Sequence, residues 1–155
     1  MEKIKKIEIN WPDADITVSA SLQEEEEPEL CKLLWDDLKQ PLKTVSHHVL
    51  STGNVILGMG RPPKHPTASG TQRQPVGRKK WLFTQIEPGM IVYSGANHIW
   101  FNYGYLTEAL PIHGSVVAKV DEEDYDDYVK ACNVCWNAQY ITHNPVIIMV
   151  RRKEE

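Results

Sequence analysis

The sequence predicts a mostly β protein, an antiparallel barrel of about eight strands capped by two helices. Three observations carry that reading. Short stretches with strand-like alternation or brief apolar runs recur along the whole chain. Turn residues separate them, so most neighbours are joined locally, as antiparallel strands are. Only two stretches repeat their apolar residues at helical spacing. At 155 residues the chain suits one domain, residues 1–155, with one core.

Residues 4–9 alternate, with Ile4, Ile7 and Ile9 among lysines and acids, and Trp11-Pro12-Asp13-Ala14-Asp15 reads as a turn. Residues 16–22 alternate again, which completes an N-terminal hairpin. The glutamate-rich run 23–27 reads as a solvated approach to a helix whose N-terminal dipole it suits. Pro28 fits the first turn of that helix, Leu30, Leu33, Leu34 and Leu38 give its spacing, and Pro41 ends it.

Strands over 44–50 and 54–59 follow, joined around Ser51-Thr52-Gly53. Residues 61–80 hold Pro62, Pro63, Pro66 and Pro75 with several basic residues and read as a long exposed loop. The second half begins at Trp81-Leu82-Phe83-Thr84, with strands over 90–93, 99–105 and 115–120. In 99–105, Ile99, Phe101 and Tyr103 fall on one side, and Trp100, Asn102 and Gly104 on the other. Acids at 121–124 open the second helix, with Tyr125, Tyr128, Val129, Cys132, Cys135 and Trp136 as its expected buried stripe. Asn144-Pro145 turns the chain into a last strand, 146–150.

Composition narrows the function. The net charge of −4 argues against nucleic acid, where a basic face supplies most of the affinity. No apolar stretch is long enough to span a bilayer and no secretion signal is visible, so the expectation is a cytoplasmic protein without a membrane partner. Three cysteines, an odd number, suggest reduced thiols. Cys132 and Cys135 form a C-x-x-C, but late in a helix rather than at its start, and no second pair exists to complete a zinc site. They are expected to be core cysteines.

The residues with most chemical promise lie on the strands. Of the adjacent pair His47 and His48, only one can point inward. Tyr93, His98, Trp100, Tyr103, Tyr105 and His113 cluster in one part of the chain, and aromatics with polar tips suit a pocket for a small polar metabolite. Glu108 follows the aromatic strand beside the Ala109-Leu110-Pro111 turn, where a carboxylate serves as a base. Arg78 and Lys79 would meet a substrate carboxylate if loop 61–80 folds over the pocket; otherwise that loop is a solvated insertion. The spacing of His47, His48, His98 and His113 carries no metal signature, so no metal is expected.

The order of elements resembles the cyclophilin fold, a closed eight-stranded barrel with a helix at each end. The likeness rests on His47-His48-Val49 after the first helix, Pro88-Gly89-Met90-Ile91 before the next strand, and Ser115-Val116-Val117-Ala118-Lys119-Val120 leading into the second helix. The residues of a prolyl isomerase do not carry over. His48 stands where the family's arginine would be, Ser46 where its aromatic would be, and Leu57 where its glutamine would be. Losing the guanidinium removes a permanent bidentate charge, which argues against isomerase activity. The same register implies that His48 faces the open groove and His47 the opposite side.

A narrower resemblance rests on Ile9-Asn10-Trp11-Pro12-Asp13, Pro28-Glu29-Leu30-Cys31, Tyr103-Gly104-Tyr105-Leu106-Thr107-Glu108-Ala109-Leu110-Pro111 and Cys135-Trp136-Asn137-Ala138-Gln139-Tyr140. These segments look like the cyclophilin-like domain of the cucumopine and mikimopine synthases. Those opine synthases condense L-histidine with 2-oxoglutarate in a Pictet–Spengler cyclisation. The resemblance implies a cofactor-independent reaction between an amino acid and a 2-oxo acid, with Glu108 or His48 as the acid–base group. A non-catalytic metabolite-binding module and an isomerase-like peptide binder are the other functions compatible with such a barrel. Its exposed edges and many aromatics are compatible with a homodimer.

Overall fold

The computed structural model describes residues 3–49, 53–61, 85–95, 98–106 and 115–154. Its strands are β1 (Lys6–Trp11), β2 (Ile16–Leu22), β3 (Leu42–His48), β4 (Gly53–Gly60), β5 (Met90–Gly95), β6 (His98–Leu106), β7 (Ser115–Val120) and β8 (Ile147–Arg152). The helices are α1 (Pro28–Asp37) and α2 (Tyr125–Asn137), and a π-helical turn, Ala138–Thr142, continues α2. The strands close into one barrel in the order β1-β2-β7-β5-β6-β4-β3-β8. Every pairing is antiparallel. The barrel expected from the sequence is therefore present, and closure leaves no free sheet edge among these strands.

The lumen is filled by alternate residues of each strand, among them Ile7, Ile9, Trp11, Val18, Ile56, Ile91, Ile99, Phe101 and Ile148, all buried. Trp11 was expected in a turn. It is instead the last residue of β1, paired with Ile16, and its fully buried ring packs against Phe101 and Tyr128 with centroids 6.0 and 6.1 Å away. The turn itself is a short 3-10 segment, Pro12–Ala14, closed by Asp15 in the left-handed region at φ 52°. Lumen packing is tight at Gly58, where a Cβ would lie 2.8 Å from Thr44 Oγ1 and 3.1 Å from Ile99 and Phe101.

Each helix seals one end. α1 lays Leu30, Cys31 and Leu34 against β5 and β7. Glu27, expected to be solvated, is fully buried at the head of this helix. α2 lays Tyr128, Ala131, Cys132 and Cys135 on β2, β3 and β6. Trp136, expected in the buried stripe, is 42% exposed, because the stripe that meets the barrel runs through 128, 131, 132 and 135 and leaves position 136 about 100° off it.

The three cysteines are free and buried, as the sequence suggests. Burial pushes the Cys135 thiol up to about 11, against a smaller opposing pull from Ser46 and Trp11, and raises Cys132 well above the ordinary range. Such thiols are inert packing groups rather than nucleophiles.

Candidate functional site

The alternation of β3 decides the histidine pair. Leu42, Thr44 and His48 point into the barrel, and Lys43, Val45 and His47 point out. His48 is 4% exposed, so it does not face an open groove, and the outward histidine is His47. The implied orientation is thus reversed. The reason lies in the neighbouring rows: the lumen at this level takes Thr44 and His48, while Val45 pairs with Met59 on the outside.

His48 lies at the α2 end of the barrel in a complete hydrogen-bond network. Its Nδ1 donates to the Val49 carbonyl at 2.7 Å. A carbonyl only accepts, so Nδ1 carries the proton and Nε2 accepts from the Tyr103 hydroxyl at 2.7 Å. Tyr140 stands edge-on to the same imidazole, 5.6 Å between centroids, and its hydroxyl donates to Val49 O. Burial raises the Tyr103 phenol above its ordinary range, which keeps it a donor. Two residues singled out from the sequence for different roles, His48 and Tyr103, are therefore in direct contact.

Gln139, from the π-helical turn, completes the network. The β3–β8 ladder spans Leu42–Val45 of β3, and Ser46 N still donates to Val146 O. Beyond that, the Gln139 carboxamide takes the place of a strand residue. Its Oε1 accepts from His48 N, and its Nε2 donates to His48 O at 2.8 Å. Gln139→Ala strands both backbone groups, and a loss of about 1–3 kcal/mol in the free energy of unfolding is expected by urea titration.

The network also sets a pH dependence. Burial, more than any other cause, holds His48 below the ordinary histidine value of 6.5, against an upward pull from Val49 O. The unfolded chain then binds a proton more readily than the folded one. The stability linked to His48 is complete above about pH 6.5 and declines as pH falls through and below that value. In thermal melts from neutral pH downward, the wild type is expected to lose more stability in that window than His48→Gln.

The remaining sequence candidates do not converge on one pocket. Tyr93 is fully buried near the α1 end, where its hydroxyl donates to Asp37. Tyr105 is 70% exposed at the end of β6. His98 and Trp100 share the outer face of β6, half-buried. Trp100 packs against an outer apolar cluster of Ile86, Met90, Val92 and Val116, and its Nε1 is buried without a hydrogen-bond partner among the described residues. Glu108, His113, Arg78 and Lys79 lie outside the described residues, as does loop 61–80 beyond Arg61.

Sequence reasoning missed Gln139 as the partner of His48 and Tyr140 as the partner of Val49, which no local pattern announces from 91 residues away. It missed His47 as the outward histidine. No group of three potential metal ligands occurs among the described residues. No helix among them is long and apolar enough to cross a membrane.

The closed antiparallel barrel with its two helices defines a cyclophilin-like fold. Among solved structures the chain is similar to McbB in complex with tryptophan, at a TM-score of 0.79 and 34% identity, over 96% of this chain and 45% of McbB. It thus spans just under half the length of McbB. It is also similar to the solution structure of the hypothetical protein AF2241 from Archaeoglobus fulgidus, at a TM-score of 0.55 and 13% identity, over 97% of this chain and 95% of the other; that likeness bears on the fold alone. No family model and no curated protein matches the chain.

Proposed function

We propose that the chain takes an amino acid with an electron-rich aromatic ring and joins it to a 2-oxo acid in a Pictet–Spengler-type condensation. L-Histidine and 2-oxoglutarate are the pair that the resemblance to the opine synthases implies. The observation that carries the reading is the likeness to McbB, whose structure is of a complex with tryptophan, at 34% identity over 96% of this chain.

The amine and the ketone condense to an imine with release of water. The protonated imine accepts the ring carbon, a carbon–carbon bond forms, and a base removes the ring proton to restore aromaticity. Water is the only by-product and no cofactor enters the balance. The protein's tasks are to hold two reactants in contact and to supply one acid–base group.

Glu108 is the proposed base and His48 the second candidate. Since His48 accepts from Tyr103, any proton movement by His48 runs through that hydroxyl. Of the binding residues expected from the sequence, His98 and Trp100 share the outer face of β6 and are the proposed contacts together with His113 and Tyr105, whereas Tyr93 and Tyr103 are buried inside the barrel. Arg78 and Lys79 are the proposed cations for the substrate carboxylates.

Binding without turnover is the second reading, since what the McbB structure shows is a complex with tryptophan. Incubation with L-histidine or L-tryptophan and 2-oxoglutarate, followed by mass spectrometry, separates the two. A product at the summed mass less one water that survives borohydride treatment is expected, since the open imine has the same mass but is reduced. Amino-acid binding without such a product leaves the module reading alone. A homodimer is part of the proposal, to be measured by sedimentation.

A further inference from the structure

The chain is acidic overall, with a net charge of −4, yet it gathers lysines at one place. At the α1 end of the barrel, the end opposite His48, a cleft of about 490 Å³ is lined by Lys3, Ile4, Lys5, Lys6, Trp35 and Lys153. No carboxylate lines it among the described residues. The backbone of the lysine segment is tied on both sides: Leu22 N donates to Lys5 O and Lys153 N to Lys6 O, each at 2.9 Å. The indole wall is fixed as well. The Arg152 guanidinium stacks on Trp35, 4.6 Å from the ring centroid, and its Nε donates to Trp35 O at 2.9 Å. Lys5 Nζ lies 5.5 Å from the centroid of the same ring. The cations differ in how they are matched. Lys6 meets the Asp121 carboxylate at 2.7 Å. Lys5 meets Glu24 at 3.4 Å, but both side chains are nearly half exposed, and water leaves such a pair little net attraction. Lys153 Nζ donates to the neutral Ser19 hydroxyl at 2.8 Å, which orients the ammonium without cancelling its charge.

We propose that this cleft is a second binding site and that it takes the phosphate monoester of a small metabolite. The phosphate lies between Lys5 and Lys153, and the organic body runs along Ile4 and Trp35. The site is separate from the proposed condensation and does not rest on it. Its volume falls within the range usual for small-ligand sites. The choice of phosphate follows from the kind of cation on offer. A lysine ammonium is a compact point charge, suited to a compact dianion, and a phosphate monoester carries roughly two negative charges at pH 7. A planar carboxylate is best met by an arginine fork, and the fork of Arg152 is committed to the Trp35 carbonyl. The choice of an ester over the bare anion follows from the walls. Ile4 is 61% exposed and Trp35 half-buried, and an apolar body removes part of both from water.

Titration with phenyl phosphate, inorganic phosphate and citrate at low salt, followed by the NMR signal of the Trp35 indole N–H, tests the assignment; Trp35→Phe identifies that signal. The variants are Lys5→Gln, Lys153→Gln and Ile4→Ser, with Lys130→Gln on the exposed face of α2 as the control. All four positions are exposed, and thermal melts confirm that each variant folds. Phenyl phosphate is expected to shift the signal saturably and to bind about tenfold more tightly than inorganic phosphate. Lys5→Gln and Lys153→Gln are each expected to weaken it about three- to tenfold, and Lys130→Gln to leave it unchanged. Ile4→Ser is expected to weaken phenyl phosphate about threefold and to leave inorganic phosphate as it was. A signal that does not saturate overturns the site. So does an equal loss in Lys130→Gln and Lys153→Gln, which marks diffuse attraction to the surface. Citrate binding more tightly than phenyl phosphate, or inorganic phosphate binding as tightly, overturns the ligand class. None of these results touches the condensation, which is read by product mass.

Discussion

Truncating Trp11 to alanine is expected to cost about 3–5 kcal/mol of folding free energy. The indole is fully buried where three parts of the molecule meet: its own strand, Phe101 of β6 and Tyr128 of α2. Few side chains are placed to take up the lost volume, since the barrel is closed and Gly58 marks how little slack the lumen has. The loss is a large fraction of the roughly 5–15 kcal/mol that holds a typical domain folded. Urea titration measures it directly, and a loss below about 1 kcal/mol would mean that the lumen repacks around the gap. Trp11→Phe retains a ring and should recover most of the difference.

Replacing Glu108 with glutamine is expected to slow the proposed condensation by about 10²–10⁴-fold, the usual contribution of a positioned base. The substitution keeps shape and hydrogen bonding and removes only basicity. Amino-acid affinity should stay close to that of the wild type, so the defect belongs in turnover and not in KM. Single-turnover product formation with L-histidine and 2-oxoglutarate is the measurement. Full turnover in Glu108→Gln would remove this residue from the base role and leave His48, working through Tyr103, as the group to test next.

Much of the architecture was legible because strands and turns leave local marks. Residues 16–22 and 115–120 are strands over the expected spans, and Ile99, Phe101 and Tyr103 do share the lumen side of β6. The misreadings have separate physical origins. The orientation of the histidine pair followed the register of the isomerase strand. Alternation offered no correction there, because it tells the two faces apart only where the outer one is polar, and over β3 and β4 the outer face is apolar. Trp11 was misplaced for a simpler reason: proline and aspartate after it signal a turn, but not on which residue the strand ends. The partners of His48 were invisible because contact across 91 residues is made by the closed barrel, not by sequence neighbourhood.

The carboxamide that finishes the β3–β8 seam has a use as a built-in reporter. His48 N–H is held by a side chain of the cap, not by a strand of the barrel. Its exchange with deuterium therefore times the lifting of the cap, whereas lumen-strand amides such as that of Ile56 time the opening of the barrel itself. Comparing the two rates, with and without an amino acid present, separates a protein that admits its substrate by loosening one end from one that receives it on a rigid wall.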